Sequence, residues 1–122
     1  MPTVRTKFGT LAERYASRFL KSRGYTILGE NYKKPWGEID LIAEKEGVLV
    51  FVEVKANNRE FEGFEPELRV NREKLKKLVR TARTYLVDKK CGPEQEWQLD
   101  IIAITIDRLR QVAKVKHFKN VA

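Results

Sequence analysis

Two apolar runs joined by a short polar turn constrain the fold of this chain more than any other feature. The runs span residues 38–45 and 48–55, and Glu46-Gly47 separates them. Two residues are enough to reverse an antiparallel pair, and glycine readily adopts the positive φ that such a turn requires. The pattern therefore predicts a β-hairpin whose second strand, "VLVFVEVK", is largely buried on both faces.

Charged residues interrupt both strands of this predicted hairpin. Asp40 lies between two apolar residues, while Glu53 and Lys55 close the second run. If Lys45 faces Val48, then Asp40 faces Glu53, with their Cβ atoms ~5 Å apart. Strand alternation also places Glu53 and Lys55 on one face. Because burying an unpaired charge costs free energy, three charges that converge here need a partner or a function.

The segments around the hairpin predict an α/β fold. In chain order we predict a helix from about Phe8 to Lys21, a strand at 25–28, a loop at 29–37, the hairpin, a loop at 56–70, a helix at 71–87, a buried strand at 99–106 and an edge strand at 113–121. Gly24 is placed as the first helix's C-cap, and Asn71 as the second helix's N-cap. The α-β-β-β-α-β order indicates one domain, residues 1–122, with a central mixed β-sheet flanked by helices.

The charge balance favours a polyanionic partner. The 122 residues include 25 Lys and Arg against 17 Asp and Glu, which gives a formal net charge of +8. Nucleic acid is the first expectation, because Lys and Arg neutralise phosphate. No basic segment has an aromatic-rich apolar face opposite it, so we expect no membrane partner.

The N-terminal segment and the cysteine content indicate a cytoplasmic protein. The first ten residues, "MPTVRTKFGT", lack the apolar core of a secretory signal, and no run approaches the ~18 apolar residues of a membrane span. Cys91 is the single cysteine and His117 the single histidine. Neither an internal disulfide nor a zinc site built from Cys and His is therefore expected.

A divalent cation would resolve the conflict between two facing carboxylates. Without one, a carboxylate of the pair retains a proton. Mg²⁺ prefers oxygen ligands and takes one or two protein carboxylates, so we expect Asp40 and Glu53 to hold Mg²⁺ or Mn²⁺, with the Val54 carbonyl as a further ligand. Lys55 would orient the attacking water or stabilise negative charge during phosphodiester hydrolysis.

The spacing Asp40-x12-Glu53-x-Lys55 resembles the PD-(D/E)xK signature of restriction-endonuclease-like nucleases. The wider sequence is similar to the small bacterial YraN-like family, in the segments "GTLAERYASRFL", "GYTILGENY", "GEIDLIA", "VFVEVK", "FEGFEPE" and "KHFKNV". This resemblance implies a restriction-endonuclease-like fold related to archaeal Holliday-junction resolvases. It also implies a metal-dependent endonuclease acting on branched or irregular DNA, and related junction nucleases work as homodimers.

The resemblance also assigns roles to individual residues. It places Asp40, Glu53 and Lys55 at the metal-binding and catalytic positions, and Glu13 at the helical acidic position of the junction-resolvase pattern. Glu38 is a weaker candidate. The sequence departs from the pattern at three points: Ile39 replaces the namesake proline, Ala56-Asn57 replaces Thr-Arg, and Gln98 replaces an arginine.

Two basic clusters are candidates for nucleic-acid binding. Helical spacing aligns four cations along one flank of the second predicted helix: Arg72, Lys76, Arg80 and Arg83. Lys33 and Lys34 form the second cluster, next to Trp36, which would either stack on an unpaired base or pack within its loop. Alternatively, the four cations of the helix simply form a solvated surface and bind no phosphate.

Less specific interpretations compete with these assignments. Asp40, Glu53 and Lys55 can form a structural salt bridge, and Thr10-Leu11-Ala12-Glu13 matches a helix capping box, which would give Glu13 a purely local role. At the level of function, the alternatives are a non-catalytic nucleic-acid-binding or assembly module on the same scaffold, and an RNA nuclease.

Overall fold

The computed structural model describes residues 4–57, 72–107 and 109–122. Its elements are α1 (Val4–Ser22), β1 (Thr26–Lys34), β2 (Gly37–Lys45), β3 (Val48–Asn57), α2 (Arg72–Asp88), β4 (Trp97–Asp107) and β5 (Val112–Phe118). The α/β organisation with a mixed sheet is confirmed. Of the loop predicted at 56–70, the first two residues belong to β3, and the rest lies outside the described residues together with Asn71.

The five strands form one sheet in the order β1-β2-β3-β4-β5. Every neighbouring pair is antiparallel except β3 and β4, which run parallel. Parallel neighbours need a crossover connection, and α2 lies within the segment that links these two strands. The buried run predicted at 99–106 is the centre of β4, which is buried at every one of those positions, and β5 forms the predicted edge.

The β2–β3 hairpin has the predicted turn and register. Lys45 pairs with Val48. Glu46 and Gly47 have φ values of 51° and 81°, as a type I′ turn requires. The ladder ends at the pair Leu41–Val52, one position before Asp40 and Glu53. In this register Asp40 and Glu53 are the next facing positions, as predicted, but the regular pairing of β2 and β3 stops one position before them.

The loop predicted at 29–37 is wrong, because β1 continues to Lys34. It pairs with β2 as far as Lys34–Gly37, which leaves Pro35 and Trp36 as the turn. Hydrogen bonding along a neighbouring strand outweighs the weak strand preference of Gly and Asn. Asn31 takes a φ of 51°, a conformation that asparagine tolerates better than most residues.

Helix α1 begins at Val4, earlier than the predicted Phe8, and ends in the predicted glycine cap. Gly24 has a φ of 90°, its N–H donates to Lys21 O, and the Tyr25 N–H donates to Leu20 O. These two bonds form a Schellman motif. Since Thr10 lies six residues inside the helix, its side chain does not cap the helix start, and the capping-box interpretation of Glu13 is wrong.

Among the described residues, one helix covers each face of the sheet. On the first face, α1 buries its stripe of Ala12, Ala16 and Leu20 against apolar side chains of β2, β3 and β4. On the second face, α2 buries Leu78, Ala82 and Tyr85 against a cluster that includes Ile39 and Phe51. Neither described helix combines the length and the apolar character needed to cross a membrane.

Candidate active site

The end of the β2–β3 ladder is held by a side chain. Asp40 Oδ2 accepts a hydrogen bond of 2.7 Å from the Val54 main-chain N–H. A carboxylate thus supplies the acceptor for Val54 just beyond the last regular pair of strands. Ile39 and Ile42 both pack in the core cluster on the α2 side, so the in-and-out alternation of β2 is interrupted around Asp40. The side chains of Asp40 and Glu53 thus lie just beyond the end of the β2–β3 ladder.

A cavity of about 240 Å³ opens at this point, between the end of the β2–β3 ladder and helix α2. It is lined by Trp36, Gly37, Glu38, Asp40, Glu53, Lys74, Lys77 and Leu78. Three carboxylates and two ammonium groups therefore share one small space. Gly37 allows the hairpin to approach the helix closely, because a Cβ at this position would lie 2.6 Å from Thr81 Oγ1.

Glu53 has one paired and one unpaired oxygen. Its Oε1 lies 2.5 Å from Lys74 Nζ. Its Oε2 is buried and accepts no hydrogen bond from the described residues. A buried carboxylate oxygen without a donor is costly, and a cation or a donor supplied by a ligand would satisfy it.

Asp40 is poised to exchange a proton near neutral pH. Burial raises its pKa to about 7; the Val54 N–H opposes this shift, and the negative charges of Glu13, Glu53 and Glu38 reinforce it. Near neutral pH, the protonated and charged forms of Asp40 are therefore both populated. A divalent cation would take the place of this proton, because the same oxygens serve both.

Lys55 and Lys74 meet beside Glu53. Burial acts to lower the pKa of Lys74, but its contacts with Glu53 and Lys55 and the charge of Asp40 outweigh burial, so that this pKa is raised. Lys55 comes from β3 and Lys74 from the first turn of α2. Lys55 therefore lies beside Lys74, the lysine that pairs with Glu53. Its direct action at the carboxylates stays a prediction.

Glu13 and Glu38 form an outer acidic pair bridged by Asn31. With its amide nitrogen turned toward them, Asn31 donates to Glu13 Oε1 and to Glu38 Oε1 at 3.0 Å each. Burial first, and then the charge of Glu38, raise the pKa of Glu13. Glu38 lines the cavity with Asp40 and Glu53, whereas Glu13 reaches this group from α1. The negative field at Asp40 therefore comes from several elements.

The donor set fits a hard divalent cation that keeps open positions. Within the described residues, no three His, Cys, Asp or Glu side chains are grouped closely enough to hold a metal by themselves. Mg²⁺ and Mn²⁺ do not need such a cage, because one or two carboxylates with water and substrate phosphate suffice. Asp40 and the unpaired oxygen of Glu53 meet this requirement. The Val54 carbonyl stays a prediction as a ligand; its N–H is the group that contacts Asp40.

The cations predicted along the second helix are on one exposed surface of α2. Arg72, Lys76, Arg80 and Arg83 are all exposed. The last three border an open apolar groove with Leu75, Val79 and Val87. Lys74 and Lys77, which line the acidic cavity, belong to the same helix. Helix α2 therefore carries exposed cations and an apolar groove next to that cavity.

The second basic cluster is divided. Lys34 Nζ lies 3.3 Å from Asp88 Oδ2, while Lys33 is exposed on β1. The Arg80 guanidinium covers one face of the Trp36 ring, 3.9 Å from its centroid, and Trp36 Nε1 is buried without an acceptor among the described residues. Trp36 therefore packs against α2, which agrees with the interpretation that it is a packed loop aromatic.

The hairpin pattern does not identify three residues of the site. Asn31 falls in the segment 29–37 for which the sequence predicts a loop, and Lys74 and Lys77 lie on a helix far away in sequence. Helical spacing offers a partial signal, because Lys74, Lys77, Leu78 and Thr81 share the face of α2 that packs on the sheet. The partners of that face become visible only in the folded chain.

The fold and the site define a small α/β protein with an acidic cavity between its mixed sheet and helix α2. The profile of the "Uncharacterised protein family UPF0102" matches residues 12–104. The chain belongs to this family, and its resemblance to YraN-like proteins is confirmed at that level.

Relatives named UPF0102 protein cover most of the chain. The protein of Kosmotoga olearia is 38% identical over 122 residues, which cover 99% of this chain and 97% of the relative. The protein of Desulfosudis oleivorans is 46% identical over 88 residues, 72% of this chain and 71% of the relative. A crystal structure of an XisH family protein from Nostoc punctiforme is similar with a TM-score of 0.37 and 14% identity, over 88% of this chain and 98% of that one.

Proposed function

We propose that the protein is a metal-dependent phosphodiesterase on a restriction-endonuclease-like scaffold, and that it cleaves nucleic acid, preferably DNA of branched or irregular structure. The observation that carries this proposal is the cavity in which Asp40 and Glu53 meet, where Glu53 Oε2 is buried without a donor. The preference for branched DNA rests on the family resemblance alone.

Asp40 and Glu53 would hold Mg²⁺ or Mn²⁺. When bound, such a cation acidifies water and neutralises charge on the phosphate under attack. Asp40 is fixed by the Val54 N–H, so its second oxygen points to a defined place. Glu13 and Glu38 surround this centre with further negative charge, which strengthens attraction for a divalent cation.

Lys55 would act on the substrate side of the centre. It lies beside Lys74 and is half-buried, in a position to orient water or to stabilise the extra negative charge of the transition state. The exposed cations of α2 would hold the flanking phosphates. The net charge of +8 supports attraction to nucleic acid over a longer range.

A cleavage assay tests this proposal. The wild-type protein is incubated with Mg²⁺ or Mn²⁺ and a panel of branched, flapped, single-stranded and duplex DNA, with RNA of equal length beside it. We expect cleavage of at least one DNA substrate, lost on addition of EDTA. Lys55→Ala should reduce the rate by about a hundredfold or more while binding is nearly unchanged.

A matched control for this assay is Lys21→Ala, which removes one exposed lysine of α1, the helix that covers the other face of the sheet. Cleavage at the wild-type rate by Lys55→Ala would contradict the mechanism. Preferential cleavage of RNA would assign the same chemistry to a different substrate.

A non-catalytic nucleic-acid-binding module is the second candidate, and the Glu53–Lys74 ion pair favours it. In such a module, Lys74 would be the permanent partner of Glu53, and the cavity would need no metal. Isothermal titration calorimetry with Mn²⁺ separates the two candidates, because a module of this kind shows no stoichiometric binding that depends on Asp40.

A further inference from the structure

Lys74 reaches from the surface of α2 into the acidic cavity. Its Nζ lies 2.5 Å from Glu53 Oε1, and its side chain is 43% exposed while that of Glu53 is 12% exposed. The ammonium group thus enters from the solvent side and neutralises a carboxylate that is nearly enclosed. In the protein without a metal, Lys74 supplies the positive charge that this carboxylate requires.

The same place is the one that a divalent cation would need. Glu53 Oε2 is unpaired, and Asp40 lines the same cavity with one oxygen committed to Val54. A cation held by these two side chains would lie within a few ångströms of the Lys74 ammonium group. Like charges at such a distance repel strongly in a partly buried site. The ammonium group and the metal therefore compete for Glu53.

We propose that Lys74 is an exchangeable counter-ion, which neutralises Glu53 in the metal-free protein and moves to a phosphate of the nucleic acid when a divalent cation binds. This inference rests on the proposed function and deepens it. The long lysine side chain is half exposed and lies next to Lys55, so a small rotation redirects it toward a bound backbone. Metal binding and nucleic-acid binding then reinforce each other.

Calorimetric titration with Mn²⁺ in the absence of nucleic acid tests the first half of the inference. Lys74→Met removes the competing charge and keeps an apolar chain of similar length. We expect its Kd for Mn²⁺ to fall about tenfold, equivalent to about 1.4 kcal/mol. Lys74→Gln keeps a hydrogen-bond donor without charge and should show a similar gain. Circular dichroism melts check that each variant is folded.

Lys77→Met is the matched control, because Lys77 lines the same cavity and the substitution changes the net charge equally. Its affinity for Mn²⁺ should change less than threefold. An unchanged or weaker affinity in Lys74→Met would overturn the inference, and so would an equal gain in Lys77→Met. If the wild type and all variants fail to bind Mn²⁺, the proposed metal-dependent function fails as well. This outcome differs from failure of the Lys74 inference alone, in which the wild type still binds Mn²⁺.

Fluorescence anisotropy with a labelled DNA junction tests the second half. The Kd is measured with and without Mn²⁺, and a denaturing gel verifies that the probe stays intact. We expect Mn²⁺ to tighten binding by the wild type and by Lys77→Met at least threefold more than by Lys74→Met. If Mn²⁺ tightens DNA binding equally in Lys74→Met and in the wild type, the proposed movement of Lys74 to a phosphate is wrong.

Discussion

At the scale of single residues, Asp40 combines two roles that oppose each other. It stabilises the end of the β2–β3 ladder by accepting the Val54 N–H, and it carries negative charge into an acidic, partly buried place. Without a metal, the charged form is disfavoured. A residue kept at such a cost is typical of functional sites, where pKa values are shifted by burial and like charges.

The contribution of Asp40 to the free energy of unfolding should depend on pH when no metal is bound. In the folded metal-free protein its pKa is about 7, against an ordinary value of 3.8. Between these values the folded state binds the proton more tightly, so the free energy of unfolding falls as pH rises from about 4 to 7. Asp40→Asn removes this loss. We therefore expect the melting temperature of Asp40→Asn, relative to the wild type in EDTA, to be higher at pH 8 than at pH 5.

The same melting experiment with Mn²⁺ is the control for this prediction. The cation should stabilise the wild type at pH 8 and leave Asp40→Asn nearly unchanged. An identical difference between the two proteins at pH 5 and pH 8 in EDTA would show that the pKa of Asp40 is not raised.

At the scale of elements, the edge strand β5 and the C-terminal residues are anchored by one buried carboxylate. Asp100 on β4 is 1% exposed and lies 2.6 Å from His117 Nε2, and it accepts the Asn120 N–H and the Gln98 amide. Burial acts to raise the pKa of Asp100, but these three donors lower it further than burial raises it. The single histidine is thus part of the fold.

His117→Ala should destabilise the protein by about 2 kcal/mol, because a buried carboxylate loses one of its three donors and β5 loses a contact with β4. Urea unfolding measures the change, and Lys119→Ala, an exposed neighbour, is the control. A loss below about 0.5 kcal/mol in His117→Ala would mean that the remaining two donors satisfy Asp100.

The approach of the β1–β2 hairpin to α2 depends on Gly37. An alanine Cβ at this position would lie 2.6 Å from Thr81 Oγ1, too close for any real contact. We expect Gly37→Ala to cost about 1–3 kcal/mol of stability. In a Thr81→Ala background the opposing oxygen is gone, so the cost of the same change should be at least halved. Equal costs in both backgrounds, measured by urea unfolding, would place the strain elsewhere.

At the scale of the whole molecule, the parts that the sequence predicted are those encoded by local patterns. The hairpin turn, the register at Lys45–Val48 and the buried run of β4 all follow from alternation and glycine placement. The extension of β1 through "GENYKK" does not follow from local patterns, because pairing with β2 overrides the local preference of these residues. The approach of Lys74 to Glu53 joins a helix to a distant strand, and no local pattern encodes such a contact.

The distribution of charge over the molecule gives the last prediction. The exposed cations of α2 lie on the sheet face that carries the acidic cavity, while α1 covers the other face. If phosphates bind along α2, Lys76→Ala/Arg83→Ala should weaken DNA binding and reduce the slope of log Kd against log salt by about 1 to 2. Anisotropy titrations between roughly 50 and 200 mM salt measure this slope.

The control for this prediction is Arg18→Ala/Lys21→Ala, which removes two exposed cations from α1 and lowers the net charge equally. A general attraction of a basic protein to a polyanion would respond alike to both pairs, because only the total charge matters at long range. A defined interface would respond to the α2 pair alone, because counterions are released only where phosphates are contacted. Equal slopes in the two double variants would therefore remove α2 as the binding surface, and a salt-independent Kd in the wild type would exclude nucleic acid as the substrate.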